Sequence, residues 1–251
     1  MNERKKTILR ILAEEGSVSV AEISKELSVS SVTVRSDLSG LADEGLVVRT
    51  RGGAAPAFHK SILERQHERT SQKNRIAGMA ADLVADGDTV MIEAGTTTAL
   101  VGKYLFGRRD IHIVTNSTLL LPFARANPSI HLTVIGGAFR PLTESFVGPV
   151  ALSELARFHV RVAFIGTDGY TVDHGLTTHL VEGAEIVRKM AAQANRTILV
   201  ADSRKYGRTG FAHVLPLEEI DLLITDNELE KESVRLIEKQ DVEVMIASNR
   251  R

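Results

Sequence analysis

The sequence predicts an α/β chain in two parts, a small helical module ahead of a parallel-sheet domain. Two patterns carry that prediction. Residues 1–57 hold short amphipathic helical patterns that end in a strand pair, and from Lys73 onward short, continuously apolar segments alternate with helical ones. Apolar strands without polar alternation, separated by helices, are what a parallel sheet covered on both faces requires. The length of 251 residues allows one large or two smaller domains, and 43% hydrophobic content is enough for real cores.

In the first part, Ile8, Leu9, Ile11 and Leu12 mark a first helix. Ser19-Val20-Ala21-Glu22 has the form of a capping box, and Val20, Ile23 and Leu27 give the second helix its apolar stripe. Ser28-Val29 is a short turn of the length found between the two helices of a helix-turn-helix. The third helix starts at Ser30, which can cap it. Val34, Leu38 and Leu41 bury one face, and Gly45 is expected to close it as a left-handed C-cap. The opposite face offers Ser31, Thr33, Arg35 and Ser36, short hydrogen-bonding side chains and one guanidinium on a rod that fits a DNA major groove. Leu46-Val47-Val48-Arg49-Thr50-Arg51-Gly52-Gly53 reads as a two-stranded wing, with Arg49 and Arg51 alternating outward and Gly52-Gly53 turning the chain. A plain helical bundle with a polar face, or a module for protein contact, is the alternative. The wing with its outward arginines favours a winged helix-turn-helix.

Charge argues less simply. The net charge is −1. Residues 1–57 hold eight Lys/Arg (Arg4, Lys5, Lys6, Arg10, Lys25, Arg35, Arg49, Arg51) and eight Asp/Glu (Glu3, Glu14, Glu15, Glu22, Glu26, Asp37, Asp43, Glu44). A DNA-binding domain is expected to be basic, so only sidedness can reconcile the count. Glu14, Glu15, Asp43 and Glu44 fall at helix C-termini, partly away from a groove. The absence of cysteine excludes disulfides, thiolate nucleophiles and cysteine-ligated zinc. No apolar run reaches transmembrane length, and the start, Met1 to Lys6, is charged rather than a leader. A cytoplasmic protein with no membrane partner is expected.

Residues 58–72 are polar and read as a linker between a 1–57 domain and a 73–251 domain. Helix is expected around Ile76, Met79, Ala80 and Leu83. Strands are expected at Thr89–Ile92, Ile111–Val114, Ile130–Ile135, Val160–Ile165, Thr197–Ala201, Leu222–Thr225 and Val242–Ile246, with helices between them. The loops at the strand ends are informative: Glu93-Ala94-Gly95-Thr96-Thr97-Thr98, then Thr115-Asn116-Ser117, Gly136-Gly137-Ala138-Phe139-Arg140, Gly166-Thr167-Asp168-Gly169-Tyr170, and Asp202-Ser203-Arg204-Lys205-Tyr206-Gly207. Open parallel sheets bind ligands at the carboxyl ends of their strands.

Gly95-Thr96-Thr97-Thr98 entering a helix is an anion site in outline, with close backbone approach, unpaired N–H groups and three hydroxyls. It is neither a Walker loop nor a GxGxxG. The threonines could equally cap the helix, but five such loops converging point to a pocket. Lys205 could supply a cation to a phosphate or be a solvated surface lysine. Glu93, Asp168 and Asp202 could be paired carboxylates or acceptors for a hydroxyl-rich ligand. The histidines lack metal-ligand spacing, and His112 and His131, inside strand patterns, are expected to be structural. No nucleophile elbow, catalytic residue, metal site or cofactor is expected.

In their joint order, Val29-Ser-Ser-Val-Thr-Val-Arg-Ser-Asp-Leu38, Arg49-Thr-Arg-Gly-Gly-Ala54, Glu93-Ala-Gly-Thr-Thr-Thr98, Val114-Thr-Asn-Ser117, Gly136-Gly137, Phe164-Ile-Gly-Thr-Asp-Gly169 and Asp202-Ser-Arg-Lys-Tyr-Gly207 resemble the DeoR family of bacterial transcriptional repressors over essentially the whole chain. The resemblance implies a winged helix followed by a sensor domain similar to ribose-5-phosphate isomerase, and a phosphorylated sugar or polyol as effector of a catabolic operon. The chain departs from the family pattern at Ser36, where a second arginine is usual, at Glu93, where Asp is usual, and at Gly183 to Val187, where the family often has Glu-Ala-x-Val-Lys.

The expectation is therefore a ligand-controlled regulator, a homodimer or homotetramer on double-stranded operator DNA. Ser31, Thr33, Arg35 and Ser36 would face bases, and Arg49 and Arg51 phosphates. Glu93, Gly95, Thr96, Thr97, Thr98, Thr115, Asn116, Gly136, Gly137, Arg140, Asp168, Gly169 and Lys205 would line the effector site. The rival is a sugar-phosphate isomerase-like enzyme with an appended helical domain, since fold does not decide function. A turnover assay on pentose and hexose phosphates separates the two.

Overall fold

The structure is a computed structural model and describes residues 2–44, 46–56 and 60–248, with only the backbone of Lys60 and Ser61. The chain divides into two units: 1–68 with Pro141–Thr143, and 69–140 with 144–251.

In the first unit, α1 (Glu3–Glu15), β1 (Val18–Ser19), α2 (Val20–Glu26), α3 (Ser31–Asp43), β2 (Val47–Thr50), β3 (Gly53–Pro56) and α4 (Lys60–His67) follow in order. Local chemistry sets each start. Asn2 accepts the Lys5 N–H at 2.9 Å. The Ser19 hydroxyl accepts the Glu22 N–H at 3.2 Å while Glu22 accepts the Ser19 N–H at 2.8 Å, a complete capping box. Ser30 accepts the Thr33 N–H at 3.1 Å at the start of α3. Ile8, Leu12, Ile23, Val34, Leu38 and Leu41 are fully buried in one core, each contributing roughly 1.5–3 kcal/mol of transfer free energy.

Two details differ from the sequence expectation. The sheet has three strands, because the two-residue β1 pairs with β3 in the order β1-β3-β2. Two residues are too short for any periodicity to register. The wing register pairs Thr50 with Gly53, so Arg51–Gly52 makes the turn and Gly53 opens β3. The expected cap Gly45 lies outside the described residues; among these, Glu44 is the C-cap of α3.

The second unit runs α5 (Thr70–Asp82), β4 (Thr89–Ile92), α6 (Thr98–Tyr104), β5 (Ile111–Thr115), α7 (Leu121–Ala126), β6 (Ile130–Val134), β7 (Ala138–Arg140), β8 (Ser145–Val147), α8 (Pro149–Leu155), β9 (Val162–Ile165), β10 (Gly169–Thr171), β11 (Gly175–Thr178), α9 (Val181–Ala192), β12 (Thr197–Val200), β13 (Ala212–His213), β14 (Leu222–Asp226), α10 (Lys231–Glu238) and β15 (Glu243–Ala247). A seven-stranded sheet has the order β15-β14-β12-β9-β4-β5-β6, with every pairing parallel. Met91, Ala163, Ile165, Leu199 and Leu223 join one core with Ala184, Ile186, Val187 and Met190 of α9. Their neighbours Val90, Ile92, Phe164, Ile198, Val200 and Ile224 are equally buried on the alternate positions, and α5 packs against β12, β14 and β15. Burial on both faces explains the continuously apolar strands. The antiparallel pieces β7-β8 and β10-β11-β13 go beyond the sequence expectation. They are two to four residues long and sit inside segments that read as glycine-rich loops.

An ion cluster ties the start of α5 to the carboxyl ends of β12 and β14. Arg69, in a left-handed conformation (φ 50°), reaches Asp226 at 3.0 Å, Glu228 at 2.8 Å and Asp202 at 3.3 Å. Asp226 has no exposed surface. Burial alone would raise its pKa. The N–H groups of Ser203 and Glu228, the Ser203 hydroxyl and Arg69 outweigh that and hold the carboxyl below the usual range.

Candidate DNA interface and candidate anion site

The outward face of α3 consists of Val32, Arg35, Ser36 and Ser39, spaced i, i+3, i+4, i+7, all exposed. Val32 is 73% exposed, an apolar side chain of the kind that can meet a thymine methyl in a major groove. Ser31 and Thr33 are half-buried. The Thr33 hydroxyl lies 2.9 Å from the Ser30 hydroxyl, inside the cap. Sequence reasoning selects these two in place of Val32 and Ser39. Helical spacing from Arg35 is the signal that points to the exposed pair.

Arg49 and Arg51 are exposed on the wing. The Arg49 guanidinium donates to the Arg35 carbonyl at 3.4 Å, which brings wing and helix α3 together. Asp37 is buried in α3 and accepts from Arg4 at 2.5 and 3.2 Å. Lys5 pairs with Glu44 at 2.8 Å. Asp37 and Glu44 are thus matched by cations of α1, while the exposed Asp43 ends the same face of α3 one turn beyond Ser39 and eight residues along from Arg35.

In the second unit, the order β12-β9-β4-β5 sets four strand ends side by side. Their loops are cross-tied. Glu93 accepts the Gly166 N–H at 3.1 Å. Asn116 accepts the Ala94 N–H at 2.9 Å and donates to the Phe146 carbonyl at 3.2 Å. Lys205 stands 3.9 Å from Asp168. Asp168 accepts the Thr178 hydroxyl at 2.8 Å and the His179 N–H at 3.1 Å.

Within the loop after β4, the roles of the threonines separate. Thr98 donates to the Gly95 carbonyl at 2.9 Å. Thr97 makes no cap hydrogen bond. Thr96 accepts from the Lys73 ammonium at 3.0 Å. Lys73, on α5, is 6% exposed. Helix capping therefore does not account for the loop, and a buried cation contacts it at Thr96. A Cβ on Gly95 would stand 2.8 Å from the Thr98 hydroxyl, so only glycine keeps the loop this tight. Lys73 escapes a reading of the sequence because it lies more than twenty positions upstream. Its signal is a lysine on the Ile76, Ala77, Ala80 stripe, where spacing demands an apolar residue.

Other expected residues have structural partners. The Thr115 hydroxyl is fully buried and donates to the Ile92 carbonyl at 2.6 Å, tying β5 to β4. Gly169 is backed by Arg208, whose carbonyl would lie 2.3 Å from a Cβ. Gly136 donates to Glu154 at 2.6 Å. Gly137 (φ 142°) leaves 2.7 Å between its Cβ position and the Val147 carbonyl. Arg140 pairs with Glu182 at 2.8 Å. The contacts of Gly136, Gly137 and Arg140 thus run toward α8 and α9. Asp202 serves Arg69 and the Arg204 N–H rather than pairing with another carboxylate. His112 and His131 do lie in strands, β5 and β6, and both side chains are exposed. Their spacing in sequence hides a proximity that only strand pairing creates.

Comparison with known proteins decides the family. Residues 4–57 match the DeoR-like helix-turn-helix domain and residues 68–227 the DeoR C terminal sensor domain. The chain belongs to the DeoR family. Its relatives include the HTH-type transcriptional repressor GlcR of Bacillus subtilis, 34% identical, covering 97% of this chain and 95% of that one. The HTH-type transcriptional regulator GlpR of Haloferax volcanii is 35% identical over 97% and 96%. The HTH-type transcriptional repressor CsqR of Escherichia coli is 31% identical over 90% and 87%. These DeoR-type relatives are named as regulators and not as enzymes. Among solved structures, ribose 5-phosphate isomerase from Plasmodium falciparum is similar at a TM-score of 0.40 and 17% identity, over 55% of this chain and 53% of that one. A likeness of that degree says nothing of activity. No described helix is long and apolar enough to cross a membrane.

Proposed function

We propose that this DeoR-family chain is an operator-binding repressor of a carbohydrate-catabolism operon, controlled by a phosphorylated sugar or polyol. It would act in the cytoplasm as a homodimer or homotetramer. The observation that carries the effector assignment is the buried Lys73 ammonium held 3.0 Å from Thr96 in the Gly95–Thr98 loop. A buried cation beside a glycine-bent, hydroxyl-bearing loop matches the charge and donor needs of a phosphate. Lys205 and Asp168 at the neighbouring strand ends would address the anion and the sugar hydroxyls. Glu93 and Asn116 position the loop through backbone N–H groups. No turnover is assigned. An isomerase rate on pentose or hexose phosphates would overturn that.

In the DNA module, Arg35 would read bases with Val32, Ser36 and Ser39 beside it. Double-stranded DNA selected from a random pool by the purified protein supplies the ligand for testing. Arg35→Ala is expected to weaken binding by roughly 1–3 kcal/mol at fixed salt, the range for a lost base contact. Unchanged affinity would remove Arg35 from readout. Arg49→Ala or Arg51→Ala should weaken all sequences alike and lower the slope of log affinity against log salt by about 1, as one phosphate contact is lost. A change in sequence preference at constant slope would instead make the wing a base reader.

A further inference from the structure

At the opposite, amino end of the sheet, three side chains converge away from the candidate anion site. Asp110 precedes β5 in a left-handed conformation (φ 58°). His112 of β5 and His131 of β6 are register partners on adjacent parallel strands. Their rings stack with centroids 4.6 Å apart and planes 17° from parallel. Both present Nε2 to one oxygen, Asp110 Oδ1, at 3.5 Å from His112 and 3.0 Å from His131. All three side chains are more than half exposed, and their ligand atoms lie within 4.8 Å of one another.

We propose that Asp110, His112 and His131 form a binding site for a divalent transition-metal ion of the Zn²⁺ type. The chemistry fits on three counts. Two imidazoles and a carboxylate are donors of the borderline class that Zn²⁺, Ni²⁺ and Cu²⁺ prefer, whereas Mg²⁺ and Ca²⁺ take oxygen. A tetrahedral ion with bonds of about 2.0–2.1 Å holds its ligand atoms roughly 3.3 Å apart. The two Nε2–Oδ1 separations bracket that value and all three ligand atoms lie within 4.8 Å, so an ion can be reached by rotation of the exposed imidazoles out of their stack. Three protein ligands leave the fourth position to water. The strand register supplies part of the preorganisation: it holds the backbone positions of the two histidines opposite each other on neighbouring strands. The ion would clip Asp110 and β5 to the edge strand β6, far along the strand from Thr115 and Asn116.

The test is calorimetric titration of Zn²⁺ into the full chain carrying no histidine tag, beside His112→Ala, His131→Ala, the double variant, and Asp110→Asn. Asparagine keeps the left-handed turn while removing the charge. One ion per chain is expected in the wild type. Each single variant should bind at least about tenfold more weakly, and the double variant should lose this site. Because all three residues are exposed, circular dichroism should show the variants folded, and Cu²⁺ bound to the wild type should show nitrogen hyperfine lines that the double variant lacks. Equal uptake by the wild type and the double variant would place the ion on other histidines and overturn the proposal. Failure of the folded wild type to bind Zn²⁺ would overturn it as well.

Discussion

Thr97→Glu is expected to abolish the response to effector and leave operator binding intact. Thr97 opens α6 without a cap bond of its own, so the new carboxylate disturbs no existing partner there. It would enter the space proposed for the phosphate and compete for the Lys73 ammonium. It would also repel an incoming dianion at short range. The helix tolerates the change, since a negative charge in the first turn favours the helix dipole. Operator binding should persist because the first unit has its own core, built on Ile8, Leu12, Ile23, Leu38 and Leu41. An effector acts only through different affinities for two conformations, so a variant that cannot bind it is a permanent repressor. The expected loss is at least about 100-fold in effector affinity, or about 2.7 kcal/mol. Ligand-induced thermal shift and operator release both read it. A wild-type shift with wild-type release would move the anion elsewhere, with Lys205 and Arg140 the next cations to test.

The second large effect is structural. Arg69→Met should destabilise the second unit by about 3–5 kcal/mol, the range for removing one partner of a buried ion pair. Arg69 is 13% exposed on its side chain and Asp226 not at all, so solvent cannot replace the guanidinium. At about 2–4 °C per kcal/mol for a unit of this size, its melting transition should fall by roughly 6–20 °C. Asp226→Asn should lose less, because it leaves a neutral amide rather than an orphaned charge, and Arg69 keeps Asp202 and Glu228. The pH dependence has a definite sign. The folded carboxyl of Asp226 lies below its unfolded value, so its stabilisation is present above the ordinary carboxylate range and disappears as pH falls through the folded value. Scanning calorimetry of the three proteins from neutral to acid pH checks both claims. Equal melting of Arg69→Met and wild type would show that Ser203 and the Glu228 N–H alone satisfy Asp226.

Much of this architecture is legible in the chain because the physics is local. The strands read as unbroken apolar runs since both sheet faces are covered, and Thr89–Ile92 is delimited to the residue. The Ser19–Glu22 box announces α2. The features that escape depend on distance. Lys73 meets Thr96 only after α5 packs on the sheet, and His112 meets His131 only through strand register. The small strands β7, β8, β10, β11 and β13 are held by pairing, with too few residues for a period to show. The loops bearing Glu93, Asn116 and Asp168 do lie at neighbouring strand ends, but position at a strand end does not separate pocket from scaffold. Thr115 and Gly137 occupy such ends and bind the protein itself.

The central claim is that a phosphate-bearing carbohydrate at Gly95–Thr98 controls the hold of α3 on DNA. The direct measurement is operator affinity, by fluorescence anisotropy at one salt concentration, with and without a panel of sugar and polyol phosphates and their unphosphorylated parents. At least one phosphorylated member should weaken binding tenfold or more, and its parent should do nothing. An operator affinity that no phosphorylated member alters, or that the unphosphorylated parents alter equally, would contradict the account.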